Sequence, residues 1–281
     1  MATKITNELV FRNLPHRSPE SHKGSYGKVL AVCGCAKYRG AAVLCVCGAL
    51  RAGAGLVTLA ADELVISTVA QHALEPTYLS LPDNDGLALA ASKATVCVAG
   101  CGKEPDSATA LEMKTALGTS TGTVILDAGG LCSLSNDKLF LMGLSGRLIV
   151  TPHPGEMARL TGRSIREIEA DRAGTALNFA RESGAVTILK GHRTLVATPW
   201  GELYENHTGN AGLARGGSGD LLAGIIAGLA AQGLEPWQAA VCGVYLHGLA
   251  ADRCAKRLSM QGMLPSDILT DLCAIFLEND R

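Results

Sequence analysis

Aromatic side chains are scarce: four Phe, five Tyr and two Trp make up 4% of 281 residues. A core without large rings is filled by Ala, Val, Leu and Ile. With 33 glycines in the chain, its elements can lie close together, as helices do on a parallel sheet. Charge of one sign is also missing. With 25 basic and 26 acidic residues, a formal net charge of −1 and no basic stripe, the chain lacks the footprint of a nucleic-acid or anionic-membrane binder. No strongly apolar run exceeds about half of the ~20 residues a membrane span needs. The opening MATKITNELVFRNLPHR has no apolar signal-peptide core, so a cytoplasmic protein is expected. No cysteine–histidine cluster stands at zinc spacing. Cysteines such as Cys45, Cys47, Cys97 and Cys242 sit in apolar segments and read as buried free thiols; Cys33-Gly34-Cys35 alone has the look of a ligand pair. A Walker A loop is absent too. Lys23-Gly24-Ser25-Tyr26-Gly27-Lys28 has His22 where that motif needs glycine and Val29 where it needs Ser or Thr.

What is present is concentrated in Gly209 to Gly228, GNAGLARGGSGDLLAGIIAG, where a glycine-rich half turns into the apolar run Leu221 to Ala231. That pattern is a loop feeding a helix. Glycine lets backbone approach a ligand closely, the first helical amides have no carbonyl partners, and the helix dipole favours an anion there. The amides of Gly216, Gly217, Ser218 and Gly219 are therefore suited to hold phosphate. Asp220 follows them in the first helical turn. Two roles fit it: a helix cap, or a base that takes the proton of a substrate hydroxyl beside a phosphoryl group.

The rest of the chain alternates strand and helix, which predicts an α/β doubly wound sheet. Strands are expected at Val29–Val32, Leu56–Ala60, Thr95–Ala99, Thr123–Leu126, Leu148–Val150 and Val186–Leu189. Helices are expected over 41–52, 62–73, 107–118, 164–183, 217–232, 236–257 and 265–278. Pro199-Trp200-Gly201 joins Thr194–Thr198 to Glu202–Asn206 as an antiparallel edge hairpin. Residues 1–22 read as an extended lead-in. With no linker or composition break, 1–281 is expected to form a single domain.

Ligands of open α/β sheets collect beyond the carboxyl ends of the strands. Four such ends here are chemically rich: Gly100-Cys101-Gly102, Asp127-Ala128-Gly129, Thr151-Pro152-His153-Pro154-Gly155-Glu156 and Lys190-Gly191-His192-Arg193-Thr194. His153 is fixed between prolines and is either a turn residue or a ligand contact. Glu156 and Asp127 could each terminate an element or organise Mg²⁺. Lys190 to Thr194 suits a nucleotide's phosphates or ribose, or is a solvated turn.

GGSGD followed by LLAG resembles the anion-hole and catalytic-base motif of ribokinase-like enzymes. The longer NAGLARGGSGDLLAGIIAGLAAQG is similar to one branch of them, the ADP- or ATP-dependent NAD(P)H-hydrate dehydratases. Lys23 to Gly27, Gly40-Ala41-Ala42, Arg51 to Leu56 and TPHPGE match further motifs of that family. The family's Gly-Pro-Gly-Leu-Gly is replaced here by Gly100-Cys101-Gly102-Lys103-Glu104, and Arg215 stands where a smaller residue is usual.

The resemblance implies a ribokinase-like three-layer α/β/α fold with a mostly parallel sheet. It implies Asp220 as the base, and Ala42, Gly102, His153 and Asp220 as contacts to the hydrated dinucleotide (NADHX or NADPHX). Nucleotide binding falls to Lys190, Gly191, His192, Arg193, Thr194 and Gly219, with Glu156 on Mg²⁺ through water. The donor is ADP in bacterial members and ATP in eukaryotic ones, and the lack of a targeting segment favours ADP. The epimerase domain fused to many bacterial relatives has no room in this chain, so a separate NAD(P)HX epimerase is an expected partner, as is assembly into a homo-oligomer, a tetramer by resemblance. Two other classes stay open: a vitamin-pathway kinase of the hydroxymethylpyrimidine or hydroxyethylthiazole type, which shares the glycine–aspartate motif, and a non-catalytic nucleotide sensor, which would keep the anion hole without needing Asp220.

Overall fold

The computed structural model describes residues 2–279. Its strands are β1 Thr3–Lys4, β2 Lys28–Val32, β3 Leu56–Ala61, β4 Thr77–Ser80, β5 Val96–Ala99, β6 Thr123–Leu126, β7 Leu148–Val150, β8 Val186–Leu189, β9 Leu195–Ala197 and β10 Leu203–Glu205. They form one sheet in the order β1-β10-β9-β8-β7-β6-β5-β2-β3-β4. Every pairing from β4 across to β8 is parallel. β9 and β10 then add antiparallel. The expected hairpin is present but is not outermost, because β1 pairs in parallel with β10 beyond it.

The helices are α1 Asn7–Asn13, α2 Arg39–Arg51, α3 Glu63–Ala70, α4 Asn84–Lys93, α5 Ser107–Thr119, α6 Ala128–Ser133, α7 Lys138–Gly143, α8 Pro154–Thr161, α9 Ile165–Ala170, α10 Arg172–Ser183, α11 Ser218–Ala231, α12 Pro236–Gly262 and α13 Ile268–Asn279. They cover both faces of the sheet in a ribokinase-like α/β arrangement. Alternate residues of the central strands feed opposite layers: Val29, Ala31, Val96 and Val98 join the core beneath α2, α11 and α12, while Leu30, Val32, Cys97 and Ala99 join the core beneath α4 and α5. Small residues set the helix spacing. A side chain at Gly224 or Gly228 of α11 would strike the Cys45 or Ala49 carbonyl of α2, so the two helices touch backbone to backbone and the start of α11 is fixed in space.

Several expectations change. The lead-in is not simply extended: Thr6 caps α1, and Ile5 and Val10 are buried. Strand β4 and helix α4 escape a reading by apolar runs because β4 is a largely exposed edge strand. The helix expected over 164–183 is interrupted at Asp171, whose carboxylate caps α10. Helix α12 extends beyond 257 to Gly262, with a non-helical Ser259 inside it. No helix among the described residues is long and apolar enough to cross a membrane.

Candidate active site

The chain order reverses at β2, which lies between β3 and β5, and such switch points open a crevice at the carboxyl ends of the strands. Helix α11 delivers its first turn there. Gly217 precedes the helix with φ 98°, a left-handed conformation that glycine alone adopts without penalty. The Ser218 amide bonds back to the Arg215 carbonyl at 3.3 Å. The next amides have no carbonyl a turn earlier to bind. The Ser218 hydroxyl is buried without a partner among the described residues, so a donor stands ready beside those amides. The loop before them is anchored from α12: the Asp252 carboxylate accepts from the Gly209 amide at 2.9 Å and from Asn210 Nδ2 at 3.0 Å.

Gly219 faces a cation. A Cβ built on it would stand 3.2 Å from Lys190 Nζ and 3.8 Å from Asp127 Oδ2. A side chain at Gly219 would therefore crowd Lys190, while its backbone is not in the left-handed region. Lys190 Nζ, at the end of β8, donates to Asp127 Oδ1 at 2.8 Å and lies 3.8 Å from Glu156 Oε2. Asp127, at the end of β6, also accepts from the Thr151 hydroxyl at 2.5 Å. Burial alone would neutralise both members of this pair. The mutual attraction outweighs it, holding the Asp127 carboxyl below its ordinary range and the Lys190 ammonium above its own.

Asp220 lacks such a partner. Burial, then the nearby Asp127 charge, push its carboxyl up to about 7, against the opposing pull of Lys190 and the Cys101 thiol. It is the third residue of α11, the cap position belongs to Gly217, and no bond from its carboxylate to a helix amide occurs among the described residues. The capping role open to Asp220 in the sequence is not realised. A carboxylate poised near neutrality beside unpartnered helix amides and a cation has the properties of a general base.

His153 is where the sequence motif and the geometry diverge. Its Nδ1 accepts from the Gly155 and Glu156 amides at 3.0 and 3.3 Å, and Glu156 returns a bond to the His153 amide at 2.8 Å. The pair is thus a capping box that starts α8. The ring remains about half exposed, with Nε2 3.3 Å from Glu156 Oε1. Ala42 is fully buried on α2. Gly102 takes φ 64°, and a Cβ there would lie 2.5 Å from that of Ala41, so the β5 loop is pressed onto the start of α2 despite its altered sequence.

Beyond Lys190 the turn is exposed at Gly191, His192 and Arg193, with Thr194 half-buried. It is held from α10 by Arg172, which donates to the His192 carbonyl at 2.6 Å and to the Leu189 carbonyl at 3.2 Å. The sequence reading missed Arg172, since a lone arginine at a helix start carries no motif. Arg172, His192, Arg193 and Glu205 line a cavity of about 550 Å³. His247 on α12 was likewise unassigned. It is buried with Nε2 unpartnered among the described residues, and burial, then the Lys190 charge, push its pKa down to about 4.

Replacing Gly219 by Val drives branched carbons into Lys190 and Asp127. The expected result is a folded protein whose affinity for ADP and ATP falls by at least about tenfold, read by calorimetry; unchanged affinity would remove the anion-hole assignment.

The family model described as NAD(P)H-hydrate dehydratase matches residues 29–273. The chain is 43% identical over 266 residues to a bifunctional NAD(P)H-hydrate repair enzyme of Moorella thermoacetica, covering 91% of this chain and 50% of that one. It is 36% identical over 271 residues to an ADP-dependent (S)-NAD(P)H-hydrate dehydratase of Bacillus subtilis, covering 94% and 95%. The chain thus spans about half the length of the bifunctional relatives and nearly all of the second kind. The crystal structure of an ADP/ATP-dependent NAD(P)H-hydrate dehydratase of B. subtilis, co-crystallised with ATP/Mg²⁺, superposes with a TM-score of 0.87 at 32% identity over 99% of both chains.

Proposed function

From the chain's membership of the NAD(P)H-hydrate dehydratase family, we propose that it repairs hydrated NADH or NADPH, the (S) form of NADHX or NADPHX, at the expense of ADP. Asp220 takes the proton of the nicotinamide ring's 6-hydroxyl. The freed oxygen attacks the terminal phosphoryl group of ADP, releasing AMP; the C6–O bond then breaks as phosphate leaves, and loss of a ring proton from C5 to solvent forms the double bond of the reduced nicotinamide. The observation that carries this reading is Asp220 itself, raised to about 7 and adjoining the amides of α11 and the Lys190–Asp127 pair.

Each neighbour has a role in that sequence. The amides from Gly216 to Gly219 and the Ser218 hydroxyl bind the transferred phosphoryl oxygens, and Lys190 adds the charge that stabilises them. Gly191 to Thr194 contacts the nucleotide. His153 Nε2 and Gly102 contact the hydrated dinucleotide, whereas Ala42, fully buried on α2, offers it no surface in this conformation.

Mg²⁺ fits Glu156 through water. Asp127 is engaged by Lys190, Thr151 and the Cys101 thiol, and Glu156 Oε2 by the His153 amide; Glu156 Oε1 has only the 3.3 Å contact to the half-exposed His153 ring, which a water of a hydrated Mg²⁺ would replace, and Mg²⁺ prefers few carboxylates together with water and phosphate. When bound, the ion neutralises charge on the transferring phosphoryl group.

Incubating the purified protein with NADHX and either ADP or ATP tests the reading. Absorbance of the reduced nicotinamide should return, with one phosphate released per molecule repaired, faster with ADP. A stable phosphorylated product would instead identify a kinase, and nucleotide binding without turnover a sensor. The His153→Ala protein should lose affinity for NADHX far more than for ADP, together with about 1 kcal/mol of stability from the lost cap. Equal losses for both ligands would confine His153 to capping.

A further inference from the structure

Beside Asp220 lies a group of side chains that phosphoryl transfer does not use. Cys33 follows β2, Cys45 lies on α2 and Cys101 follows β5. All three are fully buried, and their sulfur atoms lie within 4.8 Å of one another. Cys33 and Cys45 are 3.7 Å apart. Zn–S bonds of about 2.3 Å at tetrahedral angles separate two sulfurs by about 3.8 Å, so the gap between the thiols matches one edge of a metal–thiolate set. In the sequence Cys33 pairs with Cys35 only by proximity, and the fold brings it instead to Cys45 and Cys101. The Cys101 sulfur lies within 4.8 Å of carboxylate oxygens of both Asp127 and Asp220.

We propose that Cys33, Cys45 and Cys101 form a binding site for a thiophilic cation, Zn²⁺ foremost, with Asp220 at its edge. Three sulfurs select a soft or borderline ion and reject Mg²⁺, so the site is separate from the phosphate-associated metal. With three protein donors the fourth position stays open toward the carboxylates. Binding releases the thiol protons of the three ligands, so the deeply buried cluster exchanges protons for metal without an oxidant or reductant. A cation there attracts the Asp220 carboxylate away from the substrate hydroxyl, making the ion a reversible inhibitor. That consequence, unlike the binding itself, rests on the function proposed for Asp220.

The test titrates the reduced full-length protein with Cd²⁺ and follows the ultraviolet thiolate-to-cadmium charge-transfer band. About one equivalent per chain should saturate it, and preloading with Zn²⁺ should raise the Cd²⁺ concentration needed to develop the band. Cys33→Ser and Cys45→Ser should each weaken binding by at least about tenfold. Cys273→Ser, which removes a partly exposed thiol of α13, should leave it unchanged, and Cys45→Ala serves if a serine variant fails to fold. No band, or a band retained in both cluster variants, overturns the site. Zn²⁺ should inhibit NADHX repair in the parent and at least about tenfold less in Cys45→Ser; equal inhibition of the two overturns the link to Asp220. Because the cadmium band does not depend on turnover, a failure of the dehydratase reading remains distinguishable from a failure of the metal site.

Discussion

Replacing Asp220 by Asn is expected to lower turnover by about 10²- to 10⁴-fold while leaving nucleotide affinity nearly intact, since the amides and Lys190 that hold phosphate are untouched. The variant should also melt higher than its parent at neutral pH. The folded protein holds the Asp220 proton up to about pH 7, whereas an unfolded carboxyl releases it near 3.9. As pH rises from about 4 to about 7, the unfolded state ionises freely and the folded state must ionise against burial and Asp127, so stability falls through that window. Asparagine escapes this cost. The gain should be absent below about pH 4 and grow across the window by about 1.4 kcal/mol per pH unit, reaching on the order of a few kcal/mol above pH 7. Loss of function together with gained stability is the signature of a carboxylate kept for chemistry. A helix cap would instead leave both turnover and stability nearly unchanged in Asp220→Asn, because Asn caps as well as Asp, and would cost about 1 kcal/mol only in Asp220→Ala. Steady-state kinetics and melts at the two pH extremes decide between them.

The Lys190→Met protein should fail in both respects. Its loss leaves Asp127, 1% exposed, as an uncompensated buried charge with Glu156 alongside, and breaking such a pair costs about 3–5 kcal/mol. Activity should fall as well, because the phosphoryl group loses the cation nearest Gly219. Combining Lys190→Met with Asp127→Asn separates the two effects. The double variant should regain most of the stability, since no unpaired charge remains, yet stay inactive. If the double variant recovered turnover, Lys190 would be a structural counter-ion alone.

These two residues also mark how far the sequence could be read. Asp220 stood out in the sequence because the glycines, the orphan amides and the carboxylate lie in one loop and one helical turn. Most parallel strands were legible for a similar reason, since a strand buried on both faces, such as β5 with Val96 to Ala99, is a continuous apolar run. The Lys190–Asp127–Thr151 group was not legible as a unit. Its members end β8, β6 and β7 and meet only because those strands are neighbours in the sheet. The thiol cluster hides in the same way, its three cysteines reading singly as small apolar core residues. His153 shows the converse difficulty. Its motif suggested a ligand, and the backbone around it also makes the ring a cap for α8, a role that depends on where the helix begins. The lead-in misled because α1 and β1 are short and are held by packing against α12 and β10, contacts that a polar opening sequence does not announce.

The claim on which the rest depends is that Asp220 works as a base poised near neutrality, and the pH dependence of kcat/KM for NADHX repair at saturating ADP tests it most directly. Between about pH 5 and about pH 9 the rate should rise through a single ionisation with a midpoint of about 7, because only the ionised carboxylate accepts the hydroxyl proton. That limb should vanish in the residual activity of Asp220→Asn. A parent profile that is flat over this range, or a limb near 7 that survives in the variant, would contradict the account.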